Sequence, residues 1–255
     1  MIITLAQIEV FLLILARIAG IFITAPLFKL RSLPTSIKIG IAMWMATVLW
    51  FVVPLSSLAL TLPTFMIALV IEIIIGALIG LVCDLIFVAI KAGGDIMEHQ
   101  MGLIRQTVDP ITGGPGGMVG QLAFIIGVLA FLAVDGHHLI LSALHQSFQA
   151  LPLGMPIDLS SGKFAYQLIV LGKNLWLTAM QLAAPAVLLI FLSDFSFGIV
   201  SRVAPQVNVF MLGFQVKPSL GFIAFLFCMP LFVRHVVYLI GRMAPEIINL
   251  FTNLK

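Results

Sequence analysis

The stretch LPTFMIALVIEIIIGALIGLVCDLIFVA, Leu62 to Ala89, decides the fold: its 28 residues hold only two charged side chains, Glu72 and Asp84. About 20 apolar residues, rising 1.5 Å each, cross the ~30 Å hydrocarbon core of a bilayer. Thr61 suits an N-cap and Pro63 a first turn, so the segment reads as one helix that stops before Gly93 and Gly94. At about 42 Å it exceeds the core, so it must tilt strongly, break, or stand partly outside the membrane.

The rest of the chain has the same character. Its 255 residues are 62% hydrophobic and 9% charged, with 20 Phe beside 2 Tyr, and the mean hydropathy is +1.21. A soluble domain is near half apolar and a quarter charged. The composition therefore predicts an all-α membrane protein of about six long, partly broken hydrophobic helices. Besides 62–89, the apolar stretches are 5–28, 39–55, 118–134 continued by 139–153, 164–192 around Pro185, and 220–240 around Pro230. The pair 118–134 and 139–153 fits a broken helix or a hairpin equally. Between the last two stretches, 193–217 interleaves Asp194, Arg202, Pro205, Gln206 and Asn208 with Phe and Val, so it needs a protein or water neighbour.

Several classes fall away. Net charge is +3 and the 13 Lys and Arg are scattered singly, which gives no track for phosphates and excludes nucleic acid as a partner. Cys83 and Cys228 sit in apolar runs and read as small hydrophobes rather than a disulfide. The first basic residue, Arg17, lies inside the first apolar stretch rather than before it, so that stretch is expected to remain in the mature chain. Six spans put seven Lys and Arg in the connections on one side and three on the other, which predicts an N-terminus outside the cytoplasm.

Arg17, Glu72 and Asp84 stand where a charge costs about 2.5 to 3.5 kcal/mol on insertion scales, so each must face protein, water or an opposite charge. Proton or ion coupling is one reading. An ion pair that fixes the first helix against the third is the favoured one. Gly76 and Gly80 follow Glu72 at steps of four, giving a small-residue face on which another backbone can approach closely.

Asp135-Gly136-His137-His138 is a dense polar cluster, with His145 two turns beyond His138. Metal binding or acid/base chemistry would need imidazoles with an oriented carboxylate. The sequence favours Asp135 as the N-cap of a helix starting near His137. No Gly-x-Ser-x-Gly elbow is present. The run Gly113, Gly114, Pro115, Gly116, Gly117 lacks a following Gly-Lys-Ser/Thr, so no nucleotide or other cofactor is expected. What those glycines supply is backbone freedom between Gly102 and Gly120, as a plain connection or as a gate. The tail 245–255 is amphipathic through Ile247, Ile248, Phe251 and Leu254, and suits lipid or a partner.

Taken in order, Arg17-Ile-Ala-Gly20 with Ala25-Pro26, Pro34 and Lys38, the Glu72, Gly76, Gly80 helix, Gln100-Met-Gly102, Asp135-Gly136-His137-His138, Ser147-Phe148 with Leu151-Pro152, and Ser201-Arg202-Val-Ala-Pro205 through Gly213-Phe214 resemble the FliR/SctT family of type III protein export-gate subunits. The resemblance covers essentially the whole chain, and the Arg202 to Pro205 motif leans flagellar rather than injectisome. It implies a nonenzymatic subunit, one copy per gate with five FliP-like and four FliQ-like subunits, next to FlhB- and FlhA-like components, with unfolded secreted proteins as cargo. It implies a bacterial inner-membrane location with the assembly raised toward the periplasm, in which case a flat six-span topology is wrong in geometry. Residues 1–163 are then FliP-like and 164–255 FliQ-like. By position the family's plug loop corresponds to 102–117, where Ile104, Val108 and Ile111 are the apolar residues and the phenylalanines of some relatives are absent. The rivals are a small-solute transporter coupled through Arg17, Glu72 and Asp84, and an intramembrane enzyme built on Asp135, His137 and His138.

Overall fold

The computed structural model describes residues 5–26, 34–52, 61–103, 107–108, 115–154, 162–206 and 208–252. These form α1 (Leu5–Thr24), α2 (Thr35–Val52), α3 (Leu62–Gln100), α4 (Met118–Ala133), α5 (Gly136–Ala150), α6 (Gly162–Val203), α7 (Val209–Gly241) and α8 (Met243–Thr252). A two-residue antiparallel ladder pairs β1 (Thr107–Val108) with β2 (Pro115–Gly116). Among the described residues five helices are long and apolar enough to cross a membrane, or six if the bent pair α4 and α5 forms one span. The chain is an all-α membrane protein.

Three helices outrun the lengths expected from the sequence. α3 spans 39 residues and passes straight through Gly93 and Gly94, about 58 Å at 1.5 Å per residue. A Cβ on Gly94 would run into Gly120 and Ala123 of α4, and one on Gly93 into Leu182 and Ala179 of α6. These glycines are therefore contact points rather than breaks, and packing overrides their low propensity. α6 continues through Pro185 for 42 residues, about 63 Å. α7 starts at Val209 and carries Pro218 as well as Pro230. The polar 193–217 segment is thus split between the end of α6, a short turn and the start of α7, where Asp194 and Lys217 form an ion pair of 2.7 Å.

The chain divides into two compact units. The first comprises Met1–Ile86, Asp135–Gly172 and Gly241–Lys255. Here α1 buries Val10, Leu13, Ile14, Ile18 and Ile21, the spacing of a helix packed along one face. A Cβ on Gly20 would strike the backbone of Ile73 and Ala77, and one on Gly76 the carbonyl of Arg17. The small-residue face of α3 is accordingly filled by α1, and the Thr24 hydroxyl donates to the Ala77 carbonyl at 3.1 Å. α2 rests on α1 through an edge contact of Phe11 with Trp50, 6.4 Å between centroids. α8 packs on α5 and buries Met243, Ile247, Leu250 and Phe251, so the apolar face of the tail is covered by its own chain as far as Phe251, with Ile248 half-buried and Leu254 outside the described residues.

The second unit comprises Phe87–Val134 and Lys173–Ile240. Phe87 meets Phe124 and Phe131 edge-on at 5.9 and 5.6 Å. Phe225 and Phe232 repeat the motif within α7 at 5.8 Å. Such tilted pairs are the preferred arrangement of aromatic quadrupoles.

Phe251 is fully buried, so Phe251→Ala should destabilise the purified chain by about 3 kcal/mol or more. A thermal melt in detergent, followed by intrinsic fluorescence, checks this; an unchanged melting temperature would remove α8 from the core.

Candidate functional site

Arg17 lies in the middle of α1 with no exposed surface, and its guanidinium makes three directed hydrogen bonds. Nε donates to Glu72 Oε2 at 2.6 Å, Nη1 to Ser147 Oγ at 3.0 Å, and Nη2 to the Leu151 carbonyl at 3.0 Å. The Phe148 ring covers the cation at 4.2 Å. Ser147 stays available as an acceptor because its own hydroxyl donates to the Leu144 carbonyl. Glu72 is 1% exposed and accepts a second bond from the Gly154 N–H at 3.4 Å. One side chain thus gathers α1, α3, α5 and the turn after α5. Only a planar fork with fixed donor directions can do so. Asp84, 12 residues further along α3, stands outside this group and is engaged elsewhere.

The neck of the 102–117 loop is built by two separate devices. At the end of α3, Gly102 takes a left-handed φ of 73°; its N–H bonds the His99 carbonyl at 3.1 Å, and the Leu103 N–H bonds that of Glu98 at 3.3 Å. This is a Schellman stop, which needs glycine at its left-handed position. At the start of α4, the N-cap is Gly117, which offers no side-chain cap. The Glu98 carboxylate, 5% exposed, supplies it from α3 by accepting the Val119 N–H at 2.8 Å. A Cβ on Gly117 would collide with that carboxylate, and a Cβ on Gly120 with that of Asp95. Glycine is required at 117 so that an acid from another helix can reach the positive end of α4. Beyond the neck lies the β1–β2 ladder, Thr107 opposite Gly116 and Val108 opposite Pro115. Ile104, Ile111, Gly113 and Gly114 lie outside the described residues.

Next to the neck, a cleft of about 430 Å³ opens among Met101, Gly102, Phe197, Phe210, Phe214 and Lys217. Arg202, in the last turn of α6, and Pro205, in the turn after it, are exposed.

Asp135 occupies the N-cap position of α5 but with φ 54° and without a capping hydrogen bond, and the helix begins at Gly136. The side-chain cap expected of it is absent: its backbone is left-handed, where a capping residue is ordinarily extended. Its ligating atoms instead lie within 4.8 Å of those of His137 and His138, all three residues being exposed. That trio comes from one turn at the positive end of a helix, which opposes a cation, and it is no built metal centre. Arg17 and Glu72 likewise leave no donor or acceptor aimed at a substrate. The arrangement holds segments in register; it offers no nucleophile paired with a base.

Sequence reasoning singled out Arg17, Glu72, Gly76 and Gly80, together with Ser147 and Phe148; the structure gathers Arg17, Glu72, Ser147 and Phe148, sets Gly76 against the Arg17 backbone, and places Gly80 further along, against Thr24 and Ala25. It missed Asp95 and Glu98. The available clue was an acid three residues from another in the last turns of α3, opposite a helix start that has glycine where a capping side chain belongs.

The family described as bacterial export proteins, family 1, matches residues 8–243. Flagellar biosynthetic protein FliR of Bacillus subtilis (strain 168) is 32% identical over 221 residues, which cover 86% of this chain and 85% of that protein. FliR of Escherichia coli (strain K12) is 30% identical over 243 residues, 92% of this chain and 91% of its own. The surface presentation of antigens protein SpaR of Shigella flexneri is 27% identical over 185 residues, 72% and 69% of the two chains.

Two mutational outcomes follow from the geometry. Glu72→Ala or Arg17→Ala should each destabilise the chain by about 3 to 5 kcal/mol by stranding a buried charge, while Arg17→Met with Glu72→Leu recovers most of the loss; Arg17→Lys should not rescue, since one ammonium cannot serve Glu72, Ser147 and Leu151 together. Thermal melts of the purified variants rank them. Glu98→Ala should cost about 1 kcal/mol, the value of a lost cap, and speed amide hydrogen exchange at 118–120 while leaving α7 unchanged.

Proposed function

This chain belongs to the bacterial export proteins, family 1, and from that premise we propose the part it plays in flagellar protein export. It is a nonenzymatic, multi-pass membrane subunit of the export apparatus. Within that apparatus it forms part of the conduit for unfolded flagellar proteins, and its 102–117 loop serves as the plug. The observation that carries this is the family match from 8 to 243, which spans both units and the loop. The neck supports it physically: a Schellman glycine on one side and a borrowed carboxylate on the other fix where the loop begins and ends. Ile104, Val108 and Ile111 then supply the seal, since a constriction has only to exclude water and ions.

FliP-like and FliQ-like subunits surround it, one copy of this chain with five and four of them, beside FlhB- and FlhA-like components. Residues 1–163 correspond to the FliP-like part and 164–255 to the FliQ-like part, in an assembly that stands raised from the inner membrane toward the periplasm. Energy comes from other components. A solute transporter coupled through Arg17 and Glu72 is disfavoured, because both groups are buried and hydrogen-bonded within the chain itself. The more distant kinship with SpaR supports a second reading, the equivalent subunit of an injectisome; the FliR relatives match more of the chain at higher identity and favour the flagellar one.

Deleting 113–117 should make resting cells leak ions, read as a fall in membrane potential. Blocked assembly or unchanged permeability would count against the plug. Replacing both His137 and His138 by Ala should impair assembly with no loss of chemistry, and the chain alone in liposomes should transport nothing.

A further inference from the structure

α6 repeats an amide every seven residues, at Gln167, Asn174 and Gln181, with Thr178 between the last two. Gln167 is already engaged within its chain, which leaves Asn174, Thr178 and Gln181. At 100° per residue these three fall within about 60° of one another, a stripe one residue wide. Gln181 is exposed, and Asn174 and Thr178 are half-buried. Among the described residues none of the three side chains has a hydrogen-bond partner. The face that α6 buries against its own chain, Ala179, Leu182, Ala183, Ala186 and Ile190, is centred roughly 130° away. In the other direction an uncovered apolar arc runs from Leu177, about 70° from the stripe's centre, through Met180 to Trp176 on the opposite side, exposed at 52%, 59% and 63%.

Three neighbours suit an exposed helix face in a membrane protein, and this stripe fits one of them. Hydrocarbon offers an amide nothing, and its donors and acceptors would go unpaired. A water-filled passage would wet a broad face, whereas here the same side of α6 carries exposed Leu177, Leu188 and Leu192, all within about 70° of the stripe's centre. A packed helix meets both conditions. Seven residues is the interval at which two α-helices that cross gently in a left-handed supercoil return to the same seam, and amides and hydroxyls within such seams hydrogen-bond across the interface. The stripe also lies beside the covered face of α6, with Thr178 about 40° from the buried Leu182.

We propose that Asn174, Thr178 and Gln181 form a docking seam for one helix of a sister subunit, which presents amide or hydroxyl side chains at the same seven-residue interval. This rests on the proposed function, since it presumes an assembly. The seam fixes register: apolar contacts on either side slide with little penalty, while the amides match at one setting.

The test is native mass spectrometry of the complex extracted in detergent from cells that make the chain with the other gate subunits. Asn174→Leu with Gln181→Leu keeps helix propensity and apolarity, so the amount inserted in membranes should hold. The fraction recovered with sister subunits should fall about tenfold, from two interhelical hydrogen bonds lost in lipid. Asn174→Gln, which keeps the amide, should restore most of it. Intact assembly with normal export would mean that the stripe faces lipid, and intact assembly with reduced export would mean that it faces water; either overturns the seam while leaving the proposed function standing. If the leucine variant fails to insert, a benzophenone amino acid at Thr178 in the otherwise unaltered chain decides: capture of a sister subunit supports the seam, and capture of lipid or cargo alone overturns it. An unaltered chain that extracts without sister subunits overturns the proposed function, and the seam with it.

Discussion

A guanidinium with no exposed surface, in the middle of an apolar helix, is the constraint from which the first unit is built. Leaving Arg17 unpaired in a low-dielectric interior would cost more than most of its neighbours contribute. Its position therefore dictates that Glu72 face α1, that Ser147 and the Leu151 carbonyl come within reach, and that Phe148 close over the top. The requirements fall on α3 and on α5 with its C-terminal turn, far apart in the chain, so satisfying all of them leaves one register for α1, α3 and α5. Apolar contacts would tolerate a one-turn slip. The arginine does not, because its three donors point in fixed directions.

Glycine completes what the charge begins. For Arg17 Nε to approach Glu72 at 2.6 Å the helices must sit close, and Gly20 and Gly76 remove the side chains that would hold them apart. The same solution recurs in the second unit, where Gly94 and Gly120 let α3 and α4 meet and Gly117 admits the Glu98 carboxylate to an amide. Both ends of the 102–117 loop are therefore fixed by hydrogen bonds to backbone amides rather than by packing alone.

How much of this was legible in the sequence depends on what kind of force set it. Membrane class and approximate helix number followed from composition, because burial of apolar residues in lipid is close to additive along the chain. The pair Arg17 and Glu72 was legible for the same reason, each being too costly to leave alone. Helix ends were not. Gly93 and Gly94 look like a stop by propensity, and only the presence of Gly120 and Leu182 opposite them shows that they are contact points. Asp135 looked like a cap by residue type, and its left-handed φ withdrew it. Glu98 was passed over because its partner is a backbone amide 21 residues away, which no side-chain pattern marks.

The need for neighbours also arises from a different place than the sequence suggests. Interleaved polar residues in 193–217 and isolated charges in the spans point to wet patches that only other subunits satisfy. In the structure Arg17 and Glu72 satisfy each other, Asp194 takes Lys217, and Glu98 takes a backbone amide. What is uncovered is apolar: Phe191, Phe195, Phe210, Phe222 and Phe227 are all strongly exposed along α6 and α7. Helices of 42 and 33 residues are longer than a core of ~30 Å can cover without steep tilt, so an upright helix leaves part of its apolar face beyond the lipid. Apolar exposure supplies the drive to assemble but cannot choose a partner's register, which is a task for the few polar side chains left without partners inside the chain.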